Sequence, residues 1–194
     1  VGRSDTTAPY VIIASGANHR PLGIPSEPKL IGHGISYCAT CDAGFFRGLD
    51  VYVAGGGDSA VQEAIFLTRF ARKVTVVHRR DALRAVPALQ EQAFANEKLD
   101  FMWDSVIDDA GGDGKLQWLS VRNVKTGETT KIEAPAEDGF MGLFVFLGIV
   151  PSTDMFADVL TLKDGYIVTT NRCIPTFPAS LQPVTSVINR CGRS

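Results

Sequence analysis

The sequence predicts an α/β fold: a parallel sheet interrupted by an antiparallel β crossover. Three observations predict it. Residues 50–54 form an apolar run that stops at Gly55-Gly56-Gly57. Residues 59–69 carry Ala60, Ala64 and Leu67 at helical spacing, and residues 73–77 form a second apolar run, so strand, turn, helix and strand make one parallel crossover. Residues 116–124 and 129–133 then read as antiparallel strands joined at Lys125-Thr126-Gly127-Glu128.

The remaining elements follow in chain order. Residues 10–14 read as a buried strand stopped by Ser15-Gly16. A Pro/Gly-rich connector covers 21–34 and leads into the short segment with Cys38 and Cys41. Residues 88–97 read as a helix, 99–103 as a strand, and 143–147 as a return to a buried strand. There is no internal repeat and no low-complexity segment.

Composition narrows the classes. The 194 residues suit one domain, or one plus the edge of another, at ~100–200 residues per domain. A 45% hydrophobic content supports a packed core. A net charge of −2 without a basic stripe argues against nucleic acid as a partner. The longest apolar stretches, such as 140–150, are too short for a bilayer, and no signal peptide opens the chain, so a cytoplasmic location without membrane contact is expected. Val1 in place of Met points to a piece of something longer.

Two motifs carry chemistry. Gly55-Gly56-Gly57-Asp58-Ser59-Ala60 holds Gly-x-Gly-x-x-Ala between a strand and a helix. Gly55 permits the sharp turn, Gly57 lets the backbone approach a pyrophosphate, and Ala60 lets helix and strand pack closely. Free N–H groups at the helix start then face the phosphates. This is a Rossmann-like, FAD/NAD(P)-binding pattern. For NAD the second strand would end near a carboxylate; here it ends in His78-Arg79-Arg80, with Arg84 a helical turn later. Planar guanidiniums suit a 2′-phosphate, so NADPH is the expected nucleotide.

The other motif is Cys38-Ala39-Thr40-Cys41. Such thiols have lowered pKa values and form a disulfide easily. A structural zinc needs two further ligands, usually a close pair; Cys173 and Cys191 lie far apart and His33 is the nearby His. Redox chemistry is therefore expected and no metal, with inert buried cysteines as the bland alternative. Asp42 follows directly and could manage protons during thiol exchange, or simply cap the loop.

Together, the run Gly34 to Asp42, the glycine turn and His78-Arg79-Arg80-Asp81-Ala82-Leu83-Arg84 resemble low-molecular-weight, bacterial-type thioredoxin reductases in order and spacing, over about residues 9–168. The basic triplet speaks against relatives that do not use NADPH. The resemblance implies a homodimeric flavoenzyme with an NADPH domain inserted into an FAD domain. Residues 1–32 would be a remnant of the FAD domain and its linker, 33–148 the NADPH domain with the redox disulfide, and 149–170 the return segment. It also implies that Cys38 exchanges with thioredoxin, that Cys41 faces the flavin, that Asp42 transfers protons, and that Arg79, Arg80 and Arg84 hold the 2′-phosphate. Residues 11–17 resemble the strand and turn leaving the flavin domain, with Ser15 where Thr is usual.

The departures are at the two ends. Neither the amino-terminal flavin fingerprint nor the carboxy-terminal Gly-Asp motif stands in the sequence, so an incomplete FAD site is expected. Residues 171–194 follow no family pattern. Yet the genetic code allows the codons of Phe177 to Ser186, read one base earlier, to spell Val-Pro-Gly-Ile-Phe-Ala-Ala-Gly-Asp-Val. This points to a one-base frame slip near residues 170–172, with Cys173 and Cys191 as its products; the alternative is a genuinely divergent tail. The rival readings are an NADPH-binding module without turnover, a peroxiredoxin-reducing flavoprotein, and a zinc-binding interaction domain.

Overall fold

A computed structural model of the chain describes residues 11–169 and 187–188. The chain divides into two compact units. The larger is His19–Gly148; the smaller gathers the described residues 11–18, 149–169 and 187–188.

The larger unit is built on five strands: β1 (Ile35–Ser36), β2 (Asp50–Ala54), β3 (Lys73–Val77), β4 (Leu99–Met102) and, last in the chain, β8 (Gly142–Val145). Their order is β1-β8-β2-β3-β4, all parallel. Between β4 and β8 the chain forms an antiparallel sheet of β5 (Ser105–Gly111), β6 (Trp118–Asn123) and β7 (Thr129–Glu133). The α/β class and the antiparallel crossover therefore stand as the sequence predicts.

Side chains alternate along a strand, and the parallel sheet uses both faces. Val51, Val53, Val74, Val76 and Phe144 join one core with Ala60, Val61, Ala64 and Leu67 of the helix α3 (Asp58–Leu67) and Ala93 of α4 (Pro87–Phe94). Ala54, Val77, Leu143 and Val145 join a second core with Ile107, Leu119 and Val121 of the antiparallel sheet. Helices cover one face and the crossover sheet covers the other.

Several details differ from the sequence reading. Of the expected buried strand at 10–14 only Val11–Ile12 is strand among the described residues, and Ile12 is exposed; the strand expected over 143–147 ends at Val145, with Leu147 exposed. The strand β5 has no counterpart there, because Asp108 and Asp109 break its apolar alternation; the register shifts at Ile107/Asp109, so a bulge absorbs the break. The connector before Cys38 contains two short helical or extended pieces, α1 (Glu27–Leu30) and β1. Helix α3 ends at Leu67, two residues before the expected end, where the Thr68 hydroxyl donates to the Ile65 carbonyl at 2.7 Å.

In the smaller unit, Leu162–Lys163 and Tyr166–Ile167 form a hairpin whose turn places Asp164 at φ 53° and Gly165 at φ 81°. Val11–Ile12 pairs in parallel with Val187–Ile188. The rest of the tail from 170, including Cys173 and Cys191 and the region of the frame-slip reading, lies outside the described residues. Among the described residues no helix is long and apolar enough to cross a membrane.

Candidate functional site

The glycine turn connects β2 to α3 under tight steric control. Gly55 has φ 145°, and a Cβ there would meet the Phe146 carbonyl oxygen at 2.5 Å and the Ala60 Cβ at 2.8 Å. Only glycine fits. Gly56 is equally enclosed, because a Cβ would run into the His78 ring. Gly57 is the opposite case: nothing lies within 4 Å of its notional Cβ. It is the N-cap of α3 and receives no side-chain capping bond. The N–H groups of Asp58, Ser59 and Ala60 precede the first helical bond, which runs from Val61 N–H to the Gly57 carbonyl at 3.0 Å. Open backbone and unclaimed N–H groups at a helix start suit a phosphate, so these residues fit a dinucleotide.

The basic loop is stitched onto this turn. Arg84 N–H donates to the Gly56 carbonyl at 2.7 Å, and Val86 N–H donates to Asp58 Oδ1 at 2.7 Å. Leu83 and Ala85 are buried, which leaves Arg84 exposed between them. Arg79 and Arg80 are exposed too. Among the described residues, none of the three arginines forms an ion pair with a carboxylate. Asp58 thus spends its carboxylate on positioning the loop.

His78 has a different surrounding from its basic neighbours. It is buried against Gly56, and its ring meets Trp103 edge-on with centroids 6.4 Å apart. Burial, opposed by a backbone hydrogen bond at Ala82 and reinforced by the charges of Arg80, Arg79 and Arg84, pushes its pKa below the ordinary histidine value. Its ring packs on Gly56, between the turn and the loop.

The dithiol segment follows β1. Cys38 and Cys41 are joined as a disulfide. Cys38 is the N-cap of α2 (Ala39–Asp42), and its sulfur accepts from Cys41 N–H at 3.2 Å. Cys41 is exposed and Cys38 half-buried. Ala39 and Ala43 lie in the same core as Ala60, so the segment is anchored beside α3. A disulfide so placed accepts two electrons and two protons and yields two thiols.

Polar neighbours organise this segment. The buried Ser36 hydroxyl donates to Asp42 Oδ2 at 2.6 Å and accepts from Cys38 N–H at 3.0 Å. The buried Glu27 carboxylate accepts from the Leu22 and Gly23 N–H groups at 2.9 and 3.0 Å and from the Tyr37 hydroxyl. Burial and that carboxylate raise the Tyr37 phenol well above its ordinary range. His19 stacks on the Tyr37 ring with centroids 5.3 Å apart. Sequence reasoning gave no role to Ser36, Glu27 or Tyr37. Their contacts lie two to ten residues apart in sequence, and no motif marks such spacing.

These features meet in comparisons with known proteins. The sequence profile of the family described as "Pyridine nucleotide-disulphide oxidoreductase" matches residues 2–179. The chain belongs to this family. Within it, the chain is similar to thioredoxin reductases: 53% identical over 168 residues to that of Peptoclostridium acidaminophilum, covering 86% of this chain and 53% of the relative. It is 49% identical over 161 residues to that of Streptomyces coelicolor, covering 82% and 48%. The crystal structure of Lactococcus lactis thioredoxin reductase (FR conformation) superposes with a TM-score of 0.80 at 42% identity, covering 92% of this chain and 55% of that one. The chain spans about half the length of the curated relatives it matches.

Proposed function

We propose that this chain is the NADPH-binding and dithiol part of a thioredoxin-reductase-type flavoenzyme. The observation that carries the reading is the pairing, in one compact unit, of a bonded Cys38–Cys41 with a loop, stitched to an open glycine turn, whose arginines form no ion pair among the described residues. Residues 33–148 then form the nucleotide domain, 1–32 a remnant of the flavin domain with its linker, and 149–170 the return segment towards it; the linker's part from His19 packs within the larger compact unit. In the whole enzyme, bound NADPH and FAD would supply the two electrons that reduce the Cys38–Cys41 disulfide, and the resulting dithiol would reduce thioredoxin.

The chain's own residues do the rest. The N–H groups of Gly57, Asp58, Ser59 and Ala60 hold the pyrophosphate, with Gly55 and Gly56 shaping the turn and His78 spacing it from the loop. Arg79, Arg80 and Arg84 hold the 2′-phosphate. After reduction, Cys38 attacks the partner disulfide, Cys41 resolves the mixed disulfide, and Asp42, held by Ser36, gives and takes the proton. The 194 residues alone, spanning half of their relatives, bind NADPH and cycle the disulfide without turning NADPH over.

Titration of NADPH and NADH tests this. The chain should prefer NADPH. Replacing all three arginines by Ala should remove most of that preference, since each charge-assisted contact contributes about 1.5–3 kcal/mol at best. Equal affinities in the unsubstituted chain would overturn the nucleotide assignment.

A further inference from the structure

A carboxylate sits inside the loop that must attract a dianion. Asp81 directly follows Arg79-Arg80, and Asp104 lies beneath, its N–H donating to the Arg80 carbonyl at 3.1 Å. Either carboxylate could pair with an arginine and cancel its charge. Neither does among the described residues. Lys125, at the tip of the β6–β7 hairpin, takes both: its Nζ lies 3.2 Å from Asp81 Oδ2 and 3.0 Å from Asp104 Oδ2.

The backbone fixes this arrangement. Asp104 adopts φ 51°, a left-handed conformation that aspartate tolerates, and its carbonyl accepts from Val124 N–H at 2.6 Å. The residue next to Lys125 is thereby tied to the residue beneath Arg80. Lys125 is further oriented by Asn123, whose Oδ1 accepts the Lys125 N–H at 2.9 Å.

We infer that Lys125 is a specificity-determining positioning residue: by engaging Asp81 and Asp104 it keeps Arg79, Arg80 and Arg84 available to a 2′-phosphate. It acts through the carboxylates and does not touch the nucleotide. The idea rests on the NADPH reading above. A crossover hairpin far along the sequence thus sets the charge of a loop on the parallel sheet.

The test uses the 194-residue chain and two probes, NADP⁺ and NAD⁺, titrated calorimetrically. Lys125→Met should weaken NADP⁺ binding roughly two- to fivefold, the range an exposed charge interaction supports, and leave NAD⁺ binding unchanged. Adding Asp81→Asn and Asp104→Asn to Lys125→Met should restore NADP⁺ affinity. The loss should shrink as salt is raised. Unchanged NADP⁺ affinity in Lys125→Met, with the preference for NADP⁺ intact in the unsubstituted chain, sinks this inference alone. Failure of the two Asn substitutions to rescue also sinks it, because Lys125 would then act by direct contact. Absence of any NADP⁺ preference in the unsubstituted chain sinks this inference together with the nucleotide reading.

Discussion

The glycine turn and the dithiol segment each follow a strand of the same parallel sheet, yet different forces hold them. The turn is held by close carbon and carbonyl contact: Gly55 against Phe146 and Ala60, Gly56 against His78. The dithiol segment is anchored by buried Ala39 and Ala43, and its polar side is held by hydrogen bonds that Ser36 and Tyr37 donate to Asp42 and Glu27 and that Cys38 N–H donates to Ser36. Steric contact makes a shape that exists before any ligand arrives. Hydrogen bonds hold a segment whose sulfur atoms must stay reachable and change covalent state. The contrast shows how one sheet can carry a rigid binding surface and a reactive segment side by side.

The contrast breaks most sharply at the turn. Gly55→Ala should destabilise the chain by about 2–4 kcal/mol, because the added methyl meets backbone and the residue must keep φ 145°. Gly57→Ala should cost under about 1 kcal/mol, since its methyl enters open space, yet should weaken nucleotide binding. Urea unfolding of both variants, with NADP⁺ titration, compares them. Equal stability losses would mean that the two glycines are held alike.

The dithiol side offers the next effect. Glu27→Ala removes the partner of two backbone N–H groups and of Tyr37, and should cost about 2–3 kcal/mol. Hydrogen exchange should quicken at Tyr37 and Cys38, while the Cys38–Cys41 disulfide still forms. Exchange unaltered at those amides would mean that Glu27 does not hold the segment.

The smallest effect is on pH dependence. The folded chain depresses the His78 pKa, so below the ordinary histidine value of about 6.5 the unfolded chain binds more protons. This contribution to stability is present above that value and is lost as pH falls through it towards the folded pKa. Denaturant midpoints at pH 7.5 and 5.5 should therefore differ less in His78→Gln than in the unsubstituted chain. An identical pH response in the two would remove His78 from the account.

The two β-α-β strands, the helix between them and the crossover hairpin were legible because each is a local pattern of apolar period and turn residues. The motif residues were legible because glycine, cysteine and arginine at those spacings have few other uses. His78 was not. In sequence it belongs to a basic triplet, but its ring points into the core against Gly56, and only the path of β3 into the loop decides that. Strand β5 escaped notice because a bulge at Ile107/Asp109 hides its alternation.

By itself, the sequence determined the α/β class, the parallel crossover unit, the placement of the glycine turn between strand and helix, and the proximity of Cys38 to Cys41. All of these depend on residues near one another along the chain, where backbone geometry leaves few choices. Only the tertiary structure decided that Glu27 holds Tyr37, that Ser36 joins Asp42 to the Cys38 backbone, and that Lys125 reaches Asp81 across 44 residues. Such contacts come from the crossing of separate elements, and a charge or hydroxyl carries no sign in the sequence of the partner that folding will bring to it.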